Sequence, residues 1–267
     1  MSDIPVRPKI IAVVSQKGGV GKTTTAINLA AALVEQGEKV LIVDLDPQGN
    51  ASTGLGIMPD QRDLTTYELL LEDALIKDVV VKTDNSMLDI APSTTDLSSA
   101  DIQLASRERR SFILKKALAP QTMRDLGYQH VFIDCPPSLN LLTVNAMVAS
   151  DSILVPLQSE YFALEGLSQL MLTYRDVRQT ANPKLRIDGI VLTMFERRNF
   201  LSLQVEADAR SAMGELVFET RVPRNVRVSE APSFAQPVLS FDPTSKGSIA
   251  YRALAQELLS RKVGYAA

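Results

Sequence analysis

The chain has 267 residues, 45% of them hydrophobic and 22% charged, with a net charge of −3. This length suits one sizeable α/β domain spanning residues 1–267, and the slight negative charge excludes a protein that coats DNA by bulk electrostatics. Cys135 is the single cysteine, which excludes an intramolecular disulfide and fits a reducing cytoplasm; no signal peptide is evident and no apolar run is long enough to span a bilayer.

Residues 1–9 read as a short polar lead-in that leaves no room for an N-terminal helix-turn-helix domain. The apolar run Lys9–Ser15 predicts a first strand and Thr23–Glu35 a first helix. Between them lies Lys17-Gly18-Gly19-Val20-Gly21-Lys22-Thr23-Thr24. Strand, glycine loop and helix together are the setting of a phosphate-binding loop, whose backbone N–H groups point inward and whose helix N-terminus adds positive potential. Gly18, Gly19, Val20, Gly21 and Thr24 would cradle the phosphates, Lys22 would reach the β- and γ-phosphates, and the Thr23 hydroxyl would ligate Mg²⁺.

A second strand, Lys39–Asp44, runs into Asp44-Leu45-Asp46-Pro47-Gln48-Gly49-Asn50. Two aspartates at i and i+2 in extended chain point the same way, here toward the phosphates, although one of them could instead cap the turn marked by Pro47 and Gly49. A helix over Thr65–Glu72, a strand over Met87–Ala91 and helices over Asp96–Leu104 and Arg109–Ala119 follow. The strand His130–Asp134 ends an apolar run in a carboxylate, the Walker B pattern for a residue that holds Mg²⁺. Cys135 beside it reads as a small buried filler, and His130, the only histidine, as structural.

The second half alternates in the same way: helix Leu139–Ala149, strand Ser152–Pro156, helix Leu164–Thr180, strand Gly189–Thr193, and helices Leu201–Met213 and Ser248–Arg261. Most strands are continuous apolar runs, so both sheet faces should be covered. Their alternation with helices predicts a single doubly wound, mostly parallel α/β sheet with ligands at the carboxyl ends of its strands. Arg197, Arg198, Arg210, Arg221, Arg224 and Arg227 make this half locally basic. They suit phosphate contacts by their planar forks, or form a solvated face paired with Glu206, Asp208, Glu215 and Glu219. No aromatic residues are spaced as a stacking platform for single strands.

The loop also departs from the ordinary pattern. Gln16 stands where the first glycine is expected, and Lys17 precedes the double glycine. This KGGxGK(S/T) form resembles the deviant Walker A loop of the ParA/MinD group of P-loop ATPases. The segments Asp44–Asn50, Asp134–Ser138 and Val222–Ser233 (VPRNVRVSEAPS) narrow the resemblance to chromosomal, Soj-type ParA proteins, over roughly Ile10 to Leu259.

The resemblance implies an ATPase that uses ATP and Mg²⁺ and turns over slowly by itself. It implies a homodimer formed on ATP binding, in which Lys17 reaches the partner's nucleotide. Asp46 would position the attacking water, Asp44 would support it and the Mg²⁺ shell, and the Asp134–Pro137 loop would sense loss of the γ-phosphate. Pro223 and Asn225 would touch the base, and Arg198, Arg224, Arg227 and Lys246 would hold non-specific double-stranded DNA. A ParB-type centromere-binding protein would trigger hydrolysis, in the cytoplasm and on the nucleoid, for a chromosome or a plasmid.

Three other readings weigh less. A MinD-like, membrane-associated division ATPase needs a basic amphipathic C-terminal helix, and the tail Ser260–Ala267 is short and weakly apolar. An iron–sulfur reductase of the nitrogenase type needs two thiolates per subunit, and the chain has one. The Val222–Ser233 segment argues against a metabolic P-loop ligase.

Overall fold

The computed structural model describes residues 7–160 and 163–261; the start of the expected lead-in and the end of the tail lie outside the described residues. In chain order, β1 (Lys9–Val13) leads through the glycine loop to α1 (Lys22–Val34). β2 (Val40–Asp44) is followed by α2 (Asn50–Gly54), α3 (Thr66–Leu71) and α4 (Ile76–Val79), then by β3 (Val81–Lys82) and β4 (Leu88–Ala91). Next come α5 (Ala100–Ala105), α6 (Ile113–Ala117), α7 (Pro120–Asp125), β5 (His130–Asp134) and α8 (Leu141–Ala149). β6 (Ser152–Gln158), α9 (Ala163–Thr180), β7 (Arg186–Thr193) and α10 (Phe200–Met213) continue the alternation, and α11 (Val226–Glu230), α12 (Val238–Phe241) and α13 (Lys246–Ser260) close it.

The strands form one sheet in the order β3-β4-β2-β5-β1-β6-β7. All neighbours run parallel except β3, which lies antiparallel to β4. Strand alternation divides each apolar run between two faces. Ile10, Ala12, Leu41, Val43, Val131 and Ile133 pack with residues of α3, α8, α9 and α10, among them Leu69, Met147, Leu170 and Val205. Ile11, Val13, Val40, Ile42 and Phe132 pack with residues of α1, α12 and α13, among them Leu29, Leu33, Val238 and Tyr251. The doubly wound, mostly parallel sheet expected from the sequence is therefore present.

Local chemistry sets the helix starts. Asn140 caps α8 by accepting from the Thr143 N–H, Asn199 caps α10 through Leu201, and Ser245 caps α13 through Ser248. Thr65 and Glu68 form a reciprocal capping box on α3. The elements differ from expectation where such signals were weak. Asp96–Leu104 divides into a 3₁₀ turn, Thr95–Ser99, and α5. The helix expected from Arg109 starts only at Ile113, because Arg109 takes a left-handed φ of 51°. β3 has two residues, too few for any period to show; it is fixed by Lys82 Nζ donating to buried Asp89 at 2.6 Å, which also accepts from the Tyr128 hydroxyl at 2.7 Å.

His130 begins β5, opposite Lys9 at the start of β1. Burial and the Lys9 charge push its imidazole from the ordinary 6.5 down to about 4, against the pull of Asp188. The unfolded chain therefore takes up a proton that the folded chain refuses, and this group removes stability as pH falls from 6.5 toward 4, by about 3 kcal/mol in full. The sole histidine gives a single Cε1–H signal in NMR, and its titration midpoint should fall near 4; a midpoint near 6.5 would mean a solvated ring.

Candidate functional site

At the carboxyl end of β1 the chain turns through two left-handed glycines, Gly19 at φ 74° and Gly21 at φ 86°. Only glycine takes these angles at little strain, and Gly21 thereby serves as the N-cap of α1 without a side chain. The loop is tied to the far side of the sheet: Thr193, the last residue of β7, donates its hydroxyl to the Val20 carbonyl at 2.8 Å. Lys22 folds back over the loop, donating from Nζ to the Lys17 carbonyl at 3.0 Å. It is only 6% exposed, and burial lowers its pKa against the opposing charges of Asp134, Cys135 and Asp46.

Two carboxylates end neighbouring strands nearby, and one of them, Asp134, acts on this lysine. Asp44 and Asp134 are direct partners across β2 and β5, and both are fully buried. Both Asp134 oxygens lack a hydrogen-bond partner among the described residues. Burial, then the Asp44 charge, raises the Asp134 pKa well above the usual range, with Thr23 and Lys22 opposing. No three His, Cys, Asp or Glu side chains converge among the described residues. An orphaned carboxylate beside a threonine hydroxyl nevertheless fits Mg²⁺, which takes one or two protein ligands and fills its octahedron with phosphate and water. Thr23 and Asp134 are the residues that would hold it.

Asp44, expected to support the metal and the water, is held by donors of its own loop. Its Oδ1 accepts from the Asp46 N–H at 3.1 Å, and its Oδ2 from the Ser52 N–H at 3.0 Å and hydroxyl at 2.7 Å. It anchors the loop after β2. The strand ends at Asp44, and the i, i+2 alternation no longer governs Asp46. Burial pushes the Asp44 carboxyl up to about 6. A raised carboxyl favours the folded chain at low pH and loses that contribution as pH rises through 6, opposite in sign to His130.

The open space before the loop is a cavity of about 470 Å³. Gly18, Gly19, Gly21, Lys22, Thr23 and Thr24 form its floor, and Asp46 lines its wall beside Gln48 and Asn50. Val20 is turned away into the core at 3% exposure. Pro223 and Asn225, expected to touch the base, do not line this cavity. Pro223 bridges to Phe195, and the Asn225 side chain caps α11 by accepting from the Arg227 N–H at 2.9 Å. Ile27, Asn28, Met194, Ala231, Pro232 and Gln236 occupy the wall instead. The visible signal for two of these was the Glu230-Ala231-Pro232-Ser233 end of the same segment. Arg62, which no sequence pattern marks, donates to the Ser93 carbonyl at 2.7 Å and the Thr53 hydroxyl at 2.8 Å, bracing the loop that carries α2.

Lys17 does not line the cavity that its own loop forms. Its ammonium pairs with Glu160 of the same chain, and both side chains stay partly exposed. The basic candidates fall along one stretch of surface. The bridge from Phe195 to Pro223 sets the turn holding Arg198 beside Arg224, and α11 packs on α13, which starts at Lys246. Arg224 pairs with Glu196 at 2.7 Å, and Arg227 with Glu230 at 3.0 Å and Asp242 at 3.4 Å. Arg198 and Lys246 are exposed and make no ion pair among the described residues. Arg210 and Arg221 are spent internally on Glu206, which is only 7% exposed.

A seven-stranded, mostly parallel sheet carrying a left-handed glycine loop, a buried lysine and an orphaned carboxylate defines the class of P-loop nucleotide hydrolases. Residues 8–187 match the AAA domain family. The chain is 54% identical over 263 residues to the chromosome partitioning protein ParA of Caulobacter vibrioides, covering 98% of this chain and 97% of that one. It is 46% identical to the sporulation initiation inhibitor protein Soj of Bacillus subtilis, covering 94% and 98%. Among solved structures it matches a cobyrinic acid a,c-diamide synthase from Mycobacterium smegmatis with bound ADP and magnesium, at TM-score 0.81, 38% identity and 94% of each chain. It also matches the septum site-determining protein MinD of Pyrococcus horikoshii complexed with Mg-ADP, at TM-score 0.75, 26% identity, and 95% and 96% coverage. The chain belongs to the ParA/Soj family of chromosome-partitioning ATPases.

The Ser52 hydroxyl donates to Asp44 and accepts from the Ser93 N–H at 3.1 Å. Ser52→Ala would strand a buried donor and weaken a charged acceptor, and should lower stability by about 2 kcal/mol. Urea denaturation measures this, and an unchanged midpoint would show that Asp44 does not depend on this anchor.

Proposed function

We propose that this chain is an ATP-driven DNA-partitioning ATPase that works as an ATP-bound homodimer. The observation that carries the reading is the position of Lys17. A lysine in the phosphate loop whose side chain leaves its own cavity, and stays partly exposed, is available to the nucleotide of a second subunit. Relatives named for chromosome partitioning and sporulation control, at 54% and 46% identity, support the same reading.

In this reading ATP enters the cavity with its phosphates against the glycine N–H groups and Lys22. Mg²⁺ would supply charge neutralisation at the phosphates, with Thr23 and Asp134 as its protein-side contacts. Asp46, on the cavity wall with one oxygen accepting from the Gln48 N–H at 3.0 Å, orients the attacking water. No strong base lines the cavity, and His130 sits at the opposite end of β5. Intrinsic turnover is therefore slow, and a ParB-type partner accelerates it. The dimer doubles the basic stretch around Arg198, Arg224, Arg227 and Lys246 and holds double-stranded DNA without sequence preference, on the nucleoid in the cytoplasm. No described helix is long and apolar enough to cross a membrane.

Lys17→Ala should bind ATP almost normally but dimerise about tenfold more weakly or worse, the effect of removing a charge-assisted hydrogen bond. Sedimentation with ATP and Mg²⁺ checks this, and undiminished dimerisation would remove Lys17 from the interface. Arg198→Glu should weaken DNA binding and lower the salt slope by about one for each phosphate left unneutralised, without changing ATP binding. Arg224→Glu should do less, because Glu196 already half-neutralises that arginine. An unchanged slope in Arg198→Glu, or binding to anionic vesicles in place of DNA, would overturn the DNA assignment.

A further inference from the structure

A second cavity, of about 580 Å³, opens at the other end of the sheet, where β1, β5, β6 and β7 begin. Lys9 and His130 stand there in register, whereas Val13 and Asp134 stand in register at the phosphate-loop end. The two ends are four strand residues apart, roughly 13 Å. The cavity therefore belongs to no part of the ATP site.

Its polar groups are unevenly satisfied. Lys9 pairs with Asp188 at 2.8 Å, which also accepts from the Ser152 hydroxyl at 2.7 Å, and Arg7 pairs with Asp151 at 2.6 Å. Lys184 and Arg186 line the same space, and their side chains make no hydrogen bond or ion pair among the described residues. Across from these cations stands a hydrogen-bonding edge. His130 is 8% exposed, and its Nδ1 has no hydrogen-bond partner among the described residues; Glu38 Oε2 stands 3.5 Å away. Gln129 accepts the Lys39 N–H at its Oε1 at 2.6 Å, and its amide nitrogen has no hydrogen-bond partner among the described residues.

A buried polar atom without a partner destabilises the fold, and two unpaired cations lining one cavity repel each other. One ligand relieves both if it carries an anion at one end and an N–H/C=O edge at the other. The volume falls in the range of small-molecule pockets. We propose that this cavity binds a small phosphate monoester of nucleoside-monophosphate type, with its phosphate on Lys184 and Arg186 and the edge of its base on Glu38, Gln129 and His130. Burial keeps the imidazole neutral at ordinary pH, so Nδ1 can donate or accept according to its tautomer. Glu38 supplies an acceptor for a base N–H, and the Gln129 amide a donor for a base carbonyl.

The test uses the full chain saturated with ADP and Mg²⁺, so that the phosphate loop is filled. UMP and the other common ribonucleoside monophosphates, and separately inorganic phosphate, are titrated in while the ring C–H signal of His130 is followed. At least one nucleotide should move that signal saturably, and phosphate alone much less. Lys184→Ala/Arg186→Ala should weaken the nucleotide about a hundredfold, with ADP binding retained as the check on folding. The proposal is overturned if no nucleotide gives a saturable shift, if the double variant binds as well as the parent, or if phosphate alone matches the nucleotide.

Discussion

Two carboxylates placed side by side at the ends of β2 and β5, both out of water, are the constraint on which the rest of the site depends. Burying two like charges on adjacent strands costs several kcal/mol per ion unless something neutralises or solvates them. The chain treats the two differently. Asp44 is surrounded by donors from its own loop, which fixes the path of residues 45–52. Asp134 keeps both oxygens without a hydrogen bond among the described residues and faces a lysine that burial itself disfavours as a cation. Nucleotide and metal would complete this arrangement, so binding energy and local stability are coupled at one place.

That coupling reaches into the second half of the chain. Thr193 fastens the glycine loop to the end of β7. Asn28, on the cavity side of α1, bonds the Thr24 carbonyl at 2.8 Å and accepts from the Val238 N–H at 2.6 Å, joining the phosphate-loop helix to α12. α13 packs along α1 beneath the same face. The phosphate floor is thus local in sequence, whereas one side of the wall that completes the cavity comes from Met194, Ala231, Pro232 and Gln236 and is held by these few bonds.

Charge follows the same economy. With a net charge of −3, the chain has little cation to spare, and several arginines of the basic half are committed internally. Arg210 and Arg221 satisfy one buried glutamate, and Arg261 bonds the Leu216 and Val217 carbonyls near β7. Arg198 and Lys246, and Lys184 and Arg186 at the far end of the sheet, make no ion pair among the described residues.

The sequence by itself determined the sheet and the phosphate floor. Continuous apolar runs at β1, β2 and β5 can only be buried on both sides, and a glycine loop between strand and helix has few other uses. It determined Lys22, Thr23 and Asp134 as neighbours because each lies at the end of an element whose place the pattern dictates. Tertiary structure alone decided what the side chains beyond those ends do. Which donors Asp44 meets depended on where β2 stopped. Whether Asn225 or Pro232 reached the cavity depended on a bridge from Phe195 to Pro223 that no periodicity announces. Local pattern specifies burial, and burial specifies elements; the direction of a polar side chain past the end of an element is set by partners distant in sequence, such as Ser93 behind Ser52 or Glu160 against Lys17.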